Sequence, residues 1–143
     1  MKAVVLILSL FVVVQAQSQN NDGDELDLQI SCGFGGKSSF EILMFKKIVD
    51  RNDTWTLRRK LFSGSKLEQI LSVIMLRRLE KRNSIKLTPD ELKKLEDISN
   101  LEDKFSLCYT CTFGQEGTVK QLFYSKNYLA SCNIIEGFLL SKP

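Results

Sequence analysis

The chain has 143 residues, 43% of them hydrophobic, with 20 Lys and Arg against 17 Asp and Glu and no histidine. That length suits one compact domain and is too short for two. Without histidine, the commonest general base and the commonest metal ligand are both missing, which weighs against catalysis and metal binding.

The chain opens MKAVVLILSLFVVVQAQSQ. Lys2 supplies a basic start, Ala3 to Val14 is an apolar run, and Val14-Gln15-Ala16 fits the small-residue rule at a cleavage site. The pattern predicts a secretory signal peptide over 1–16 and a mature chain of 127 residues (143 less 16) beginning at Gln17. The run is too short to cross a bilayer, and no later one approaches about 18 apolar residues, so no membrane span is expected. Residues 17–37 read as an acidic tail, with Asp22, Asp24, Glu25 and Asp27, leading into a Gly-rich loop. Within it LDLQIS alternates Leu26, Leu28 and Ile30, the pattern of a short strand.

SCGFGGKSS (31–39) matches the second half of a phosphate-binding loop through Gly36, Lys37 and Ser38, but Ser31 stands where the first glycine belongs. No apolar strand ending in Asp follows to hold a magnesium ion, as phosphoryl chemistry requires. The glycines are read as a turn ahead of a helix, and no cofactor is assigned.

Residues 38–143 are expected to form one helical domain. Ser38-x-x-Glu41 has the form of a capping box. It opens FEILMFKKIVDR, where Phe40, Met44, Ile48, Phe45 and Val49 make an apolar face opposite Lys46, Lys47, Asp50 and Arg51. Asn52-Asp53-Thr54 is an N-glycosylation sequon in a polar connection. Thr54 is expected to cap a short helix through Phe62 that Gly64 ends. Ser65-x-x-Glu68 opens KLEQILSVIMLRRLEKR, apolar nearly all round its centre, hence a central helix stopped at Asn83. Thr88-Pro89-Asp90-Glu91 starts a further helix with a narrow stripe of Leu92, Leu95 and Ile98.

The last third carries two patterns. KFSLCYTCTF alternates like a strand, and GQEG (114–117) can join it to TVKQLFY as a hairpin. The competing reading is two helices, one ending at Gly114 and the next opened by Thr118-x-x-Gln121. Local pattern leaves both open.

Four cysteines, Cys32, Cys108, Cys111 and Cys132, follow the signal segment, and an even count in a short secreted chain predicts two disulfides. The βαβ frame of a redox C-x-x-C is missing around Cys108 and Cys111, and no histidine completes a zinc site. Three connectivities are possible. In an antiparallel arrangement turning at 114–117, Cys108 lies nearer Cys132 than Cys111 does, which favours Cys108–Cys132 and Cys32–Cys111.

Charge is distributed unevenly. Between Arg58 and Lys86 stand nine basic residues and two acidic ones, Glu68 and Glu80, a balance of +7. Helix-dipole complementation explains a cation at the end of the central helix, but not accumulation across two segments. Arg58, Arg59, Lys60, Arg77, Arg78, Lys81 and Arg82 are the partner-binding candidates. The last four, at i, i+1, i+4 and i+5, lie along one helix side. Such a surface suits acidic proteins or a heparin-like polyanion. A secreted chain without a known nucleic-acid module gives no case for nucleic acid. Glu91, Glu96 and Asp97 read as a solvated helix face, and the chain as no enzyme.

Cys32, the Cys108/Cys111 pair in SLCYTCTFG, Cys132, the helix-rich middle and the basic centre together give a chain that resembles the mosquito salivary family containing anophensin and albicin. The resemblance implies an all-α, disulfide-stapled monomer that disarms host defence by protein binding. The implied targets are the convertase of the alternative complement pathway or contact activation of the kinin system. It tips the last third toward helices, with an α+β fold carrying a hairpin over 105–124 as the alternative. A secreted insect small-ligand carrier is the rival class, and the cysteine spacing weighs against it.

Overall fold

The computed structural model describes residues 26–30, 38–109 and 113–142. In chain order these form β1 (Leu26–Ile30), α1 (Phe40–Asp50), α2 (Thr54–Ser63), α3 (Lys66–Lys81), α4 (Pro89–Ser99), β2 (Lys104–Tyr109), β3 (Phe113–Thr118), α5 (Val119–Tyr124), a 3-10 turn (Lys126–Tyr128) and α6 (Leu129–Leu140).

The expected all-α fold is overturned. The three strands make one mixed sheet in the order β1-β2-β3, with β1 parallel to β2 and β2 antiparallel to β3, so the fold is α+β. The alternation in KFSLCY wins because it has something to bury against. Leu26 faces Phe105 and Leu28 faces Leu107 across the parallel pair, and all four, with Ile30, are buried in the single core. Parallel neighbours need a long crossover, and α1 to α4 supply it.

Each reading of the last third is half right. A hairpin forms, but its strands end at Tyr109 and begin again at Phe113, so GQEG lies inside β3 instead of forming the turn. Gly117 is required by packing, since a Cβ there would lie 2.8 Å from the ring of Tyr128. The next stretch is helical, as the capping pattern predicted: Thr118 and Gln121 form a complete box that opens α5. Tyr128 donates its hydroxyl to the carbonyl of Glu116 at 2.7 Å, and the buried Ser131 donates to Gln115, so α6 is tied to β3.

The helical middle follows the sequence more closely. Ser65 with Glu68 and Thr88 with Glu91 both form complete boxes, Pro89 begins α4, and Asn83 ends α3's run with φ 56°. Every residue from Ile70 to Leu76 is buried, so α3 is the central helix.

Three local expectations change. The N-cap of α1 is Ser39, and it makes no side-chain capping bond. The face α1 buries is Ile42, Phe45 and Val49, which leaves Phe40 75% exposed and Met44 exposed. In α2 the cap is Asp53, whose carboxylate accepts from the backbone N–H of Thr56 at 2.9 Å, and Thr54 is the first helical residue.

The cysteine pairing also fails. Cys132 carries a free thiol on α6, so Cys108–Cys132 does not form. Among the described residues the cleft around it is lined by no second cysteine. Cys108, on β2, is disulfide-bonded elsewhere, and the expected pair Cys32–Cys111 lies outside the described residues.

Candidate functional site

After its buried stretch, α3 emerges toward solvent and presents Arg77, Arg78, Lys81 and Arg82 in its last turns. All four line one cleft of about 520 Å³ formed with α5 and α6. Ile74, Phe123 and Leu129 supply apolar wall, and Glu136 and Cys132 come from α6. The predicted row of cations is thus brought together around a concave site.

The four are not equivalent. Arg77 lies over the ring of Phe123 at 5.1 Å and of Tyr124 at 5.9 Å, and reaches Glu96 at 3.7 Å. Glu96 is held in turn by Asn100 Nδ2 at 2.9 Å and by the Tyr124 hydroxyl at 3.0 Å. These hydrogen bonds, with a smaller contribution from Arg77, hold its carboxyl below the usual carboxylate range. Arg78 pairs with Glu136, while its Nε–H is buried and makes no hydrogen bond among the described residues. Burial, and then the charge of Arg82, lower the Arg78 guanidinium from its ordinary value. Lys81 and Arg82 are exposed and enter no salt bridge among the described residues.

Cys132 is half-buried in the same cleft. Burial raises its thiol from 9.0 to about 11, against a small opposing pull from Arg77, so at neutral pH it is a protonated, weak nucleophile.

The other candidates lie elsewhere, so the expected single basic surface is divided. Arg58 points inward: one terminal nitrogen donates to both carboxylate oxygens of Glu91, at 2.8 and 2.9 Å, and the other to the Lys86 carbonyl at 2.8 Å. It joins α2 to the start of α4. Glu91 is accordingly buried in an ion pair and does not belong to a solvated face. Arg59 stacks on Trp55 at 4.8 Å, and Lys60 pairs with Glu68 at 2.5 Å. Both line a smaller cleft of about 340 Å³ over α1, α2 and the start of α3, where Lys47 and Arg51 join them beside Asp53 and Glu68.

Asn52 is exposed in the turn between α1 and α2, in the left-handed region at φ 52°. Trp55 is 66% exposed, with Arg59 stacked on its ring.

Sequence reasoning missed Glu136, Phe123 and Leu129. None shares a local pattern with α3, because the fold alone brings α5 and α6 beside it. Among the described residues there is no cluster of His, Cys, Asp and Glu that could hold a metal ion, and no helix long and apolar enough to cross a membrane. No protein-family model, curated protein or solved structure matches the chain.

Proposed function

We propose that the protein is secreted and acts without catalysis, by holding an acidic protein partner in the basic cleft between α3 and α6. One observation carries the reading. Of the four cations on α3, Lys81 and Arg82 have no carboxylate partner among the described residues and line a concave site with an apolar wall. Exposed charges of this kind accelerate encounter, and a desolvated arginine such as Arg78 slows release. The salivary resemblance no longer has an all-helical fold behind it. It still names the first partner to try, the alternative-pathway convertase of complement, ahead of contact activation.

The test compares alternative-pathway haemolysis, classical-pathway haemolysis and kallikrein generation, each with the parent protein and with a Lys81→Glu/Arg82→Glu variant. Inhibition of the alternative pathway alone, lost in the variant, supports the reading. Equal inhibition by parent and variant moves the binding face away from the cleft. If none of the three assays responds to the parent, these host-defence targets are wrong.

A further inference from the structure

On α1, Phe40, Leu43, Met44 and Lys47 follow one another at i, i+3, i+4 and i+7, on the side opposite the buried Ile42, Phe45 and Val49. Arg51, the C-cap in the helical region, continues that side. On α2, Trp55, Arg59 and Phe62 repeat the pattern at i, i+4 and i+7. Phe40, Leu43, Met44, Trp55 and Phe62 are five of the nine large hydrophobic side chains exposed among the described residues, and all five belong to these two consecutive helices. Single exposed apolar side chains are ordinary, but a contiguous group marks a contact surface.

The two helices share that surface. Met44, Lys47 and Arg51 line the same cleft of about 340 Å³ as Arg59, and Arg59 lies over the Trp55 ring at 4.8 Å. Its cations are unpaired: Lys47, Arg51 and Arg59 are exposed and enter no salt bridge among the described residues. The two carboxylates of the cleft are already engaged. Asp53 accepts from the N–H and the hydroxyl of Thr56, and Glu68 from Lys60 and the N–H of Ser65. On α1 itself Asp50 is held by Lys46, which leaves Glu41 in the first turn as one carboxylate against three cations.

The occupant has to satisfy both the apolar and the basic side chains. A sulfated polysaccharide would take the cations and leave Phe40, Leu43 and Met44 in water. A second copy, packed face to face about a two-fold axis, would set three cations against three more. A protein interface desolvates its apolar centre and keeps charge at the rim, whereas here cations stand among the apolar side chains. A lipid surface accepts the mixture, because rings settle at the acyl boundary while Lys and Arg reach back to the phosphates. We infer that the outer face of α1 and α2 docks on an anionic membrane surface. Phe40 and Trp55 enter the interface, and Lys47, Arg51 and Arg59 meet lipid phosphates. The docking is peripheral, since no described helix is long and apolar enough to cross a membrane. None of these residues lines the cleft between α3 and α6, so the inference stands apart from the proposed protein partner.

Trp55 is the single tryptophan of the chain, so its fluorescence reports this face alone. The experiment titrates the full chain with vesicles of phosphatidylcholine containing one third phosphatidylserine, with pure phosphatidylcholine vesicles, and with heparin. The phosphatidylserine vesicles are expected to shift Trp55 emission to the blue, and lipid brominated on its acyl chains to quench it. One basic residue near an anionic surface strengthens binding roughly fivefold, so three should favour these vesicles about a hundredfold over phosphatidylcholine. Lys47→Gln/Arg51→Gln/Arg59→Gln should lose about that factor. Phe40→Ser/Leu43→Ser should lose about tenfold or more, since burying one such side chain is worth at least that. All five substituted positions are exposed, and circular dichroism checks that the variants fold.

Heparin bound as tightly as the vesicles, with Trp55 emission unmoved, would reduce the face to a polyanion patch. Vesicle binding without quenching of Trp55, lost instead in Lys81→Gln/Arg82→Gln, would place the lipid contact on α3. A dimer in solution that Phe40→Ser/Leu43→Ser dissociates would make a second copy the occupant. Each of these results overturns the inference, as do equal binding to phosphatidylcholine, no vesicle binding, and either variant of the face binding like the parent.

Discussion

Arg58 and Arg82 belong to the same basic stretch of sequence, yet they stand in opposite physical situations. Arg58 turns inward and clamps α2 to α4 through Glu91 and the Lys86 carbonyl. Arg82 stays exposed on the lining of a cleft and pairs with no carboxylate among the described residues. The difference teaches that a local charge balance is a sum over unlike members. What separates them is the partner across space: Glu91 sits where α4 begins and faces α2, whereas α6 offers Glu136 to Arg78 and nothing to Lys81 or Arg82.

The sharpest way to test the contrast is Arg58→Ala. It leaves the buried Glu91 carboxylate with only the Thr88 N–H at 2.8 Å, and losing the charge-assisted bonds of a pair whose arginine is 30% exposed costs about 2–3 kcal/mol. Urea unfolding is expected to show that loss, while the surviving folded protein keeps the binding behaviour of the parent. A variant as stable as the parent would make Arg58 one more solvated cation and erase the distinction.

Next in size is an effect inside the cleft. The Cys132 thiol has its pKa raised from 9.0 to about 11 in the folded protein, chiefly by burial. Above pH 9 the unfolded chain releases that proton and the folded one still holds it. Stability therefore falls as pH rises from about 9 to about 11 and levels off beyond. Two pKa units bound the loss at about 2.7 kcal/mol, and partial exposure brings it nearer 1–2 kcal/mol. Cys132→Ala should lack this component, so the difference in denaturation midpoint between parent and variant should narrow across that window. An unchanged difference would mean that the thiol titrates like an open one.

A smaller effect on the free-energy scale, and the mirror image of Arg58→Ala, comes from Lys81→Glu/Arg82→Glu. Stability should change by no more than about 0.5 kcal/mol, as for ordinary surface positions. Association with an acidic partner should slow, and the parent's association should itself slow as salt is added. Surface-plasmon-resonance association rates at two salt concentrations decide it. A rate indifferent to both salt and mutation would leave the cleft without an electrostatic role.

How much of this was legible beforehand follows the range of each interaction. The boxes at Ser65/Glu68, Thr88/Glu91 and Thr118/Gln121 were readable because both partners lie within one turn. The all-round burial of α3 was readable because seven consecutive residues share the same surroundings. The row Arg77, Arg78, Lys81, Arg82 was readable as one helix side. What turned it into a cleft was not, since Phe123, Leu129 and Glu136 arrive only after the chain has passed through the sheet. The sheet is half visible in the alternation of Phe105 and Leu107, but β1 is far away in sequence, so local pattern leaves helix and strand balanced, and the pairing of Leu28 with Leu107 decides for the strand against the helices that the resemblance implied. On α1 the expected face holds at Phe45 and Val49 and fails at Phe40 and Met44, because the row Phe40, Met44, Ile48 is as regular as the row Ile42, Phe45, Val49. Only packing chooses between such faces.

The smallest expected effect concerns how Arg77 is kept apart from its unpaired neighbours. Glu96 is exposed, but Asn100 and Tyr124 both donate to its carboxylate, and with Arg77 they hold its pKa below the ordinary value of 4.5. A carboxyl depressed in the folded state contributes stability above its unfolded pKa. That contribution is lost as pH falls from about 4.5 through the folded value, because the unfolded chain takes up the proton first. Glu96→Gln removes the charge at every pH, so parent and variant should converge in stability below that range and differ slightly above it. The same substitution frees Arg77 from its only carboxylate within 4 Å among the described residues, while leaving it stacked on Phe123 and Tyr124. It therefore adds one unmatched cation beside the cleft, and capture of an acidic partner should become modestly faster at low salt. Slower capture would show that Glu96 positions Arg77 for binding, and would place Arg77 beside Lys81 and Arg82 among the residues that meet the partner.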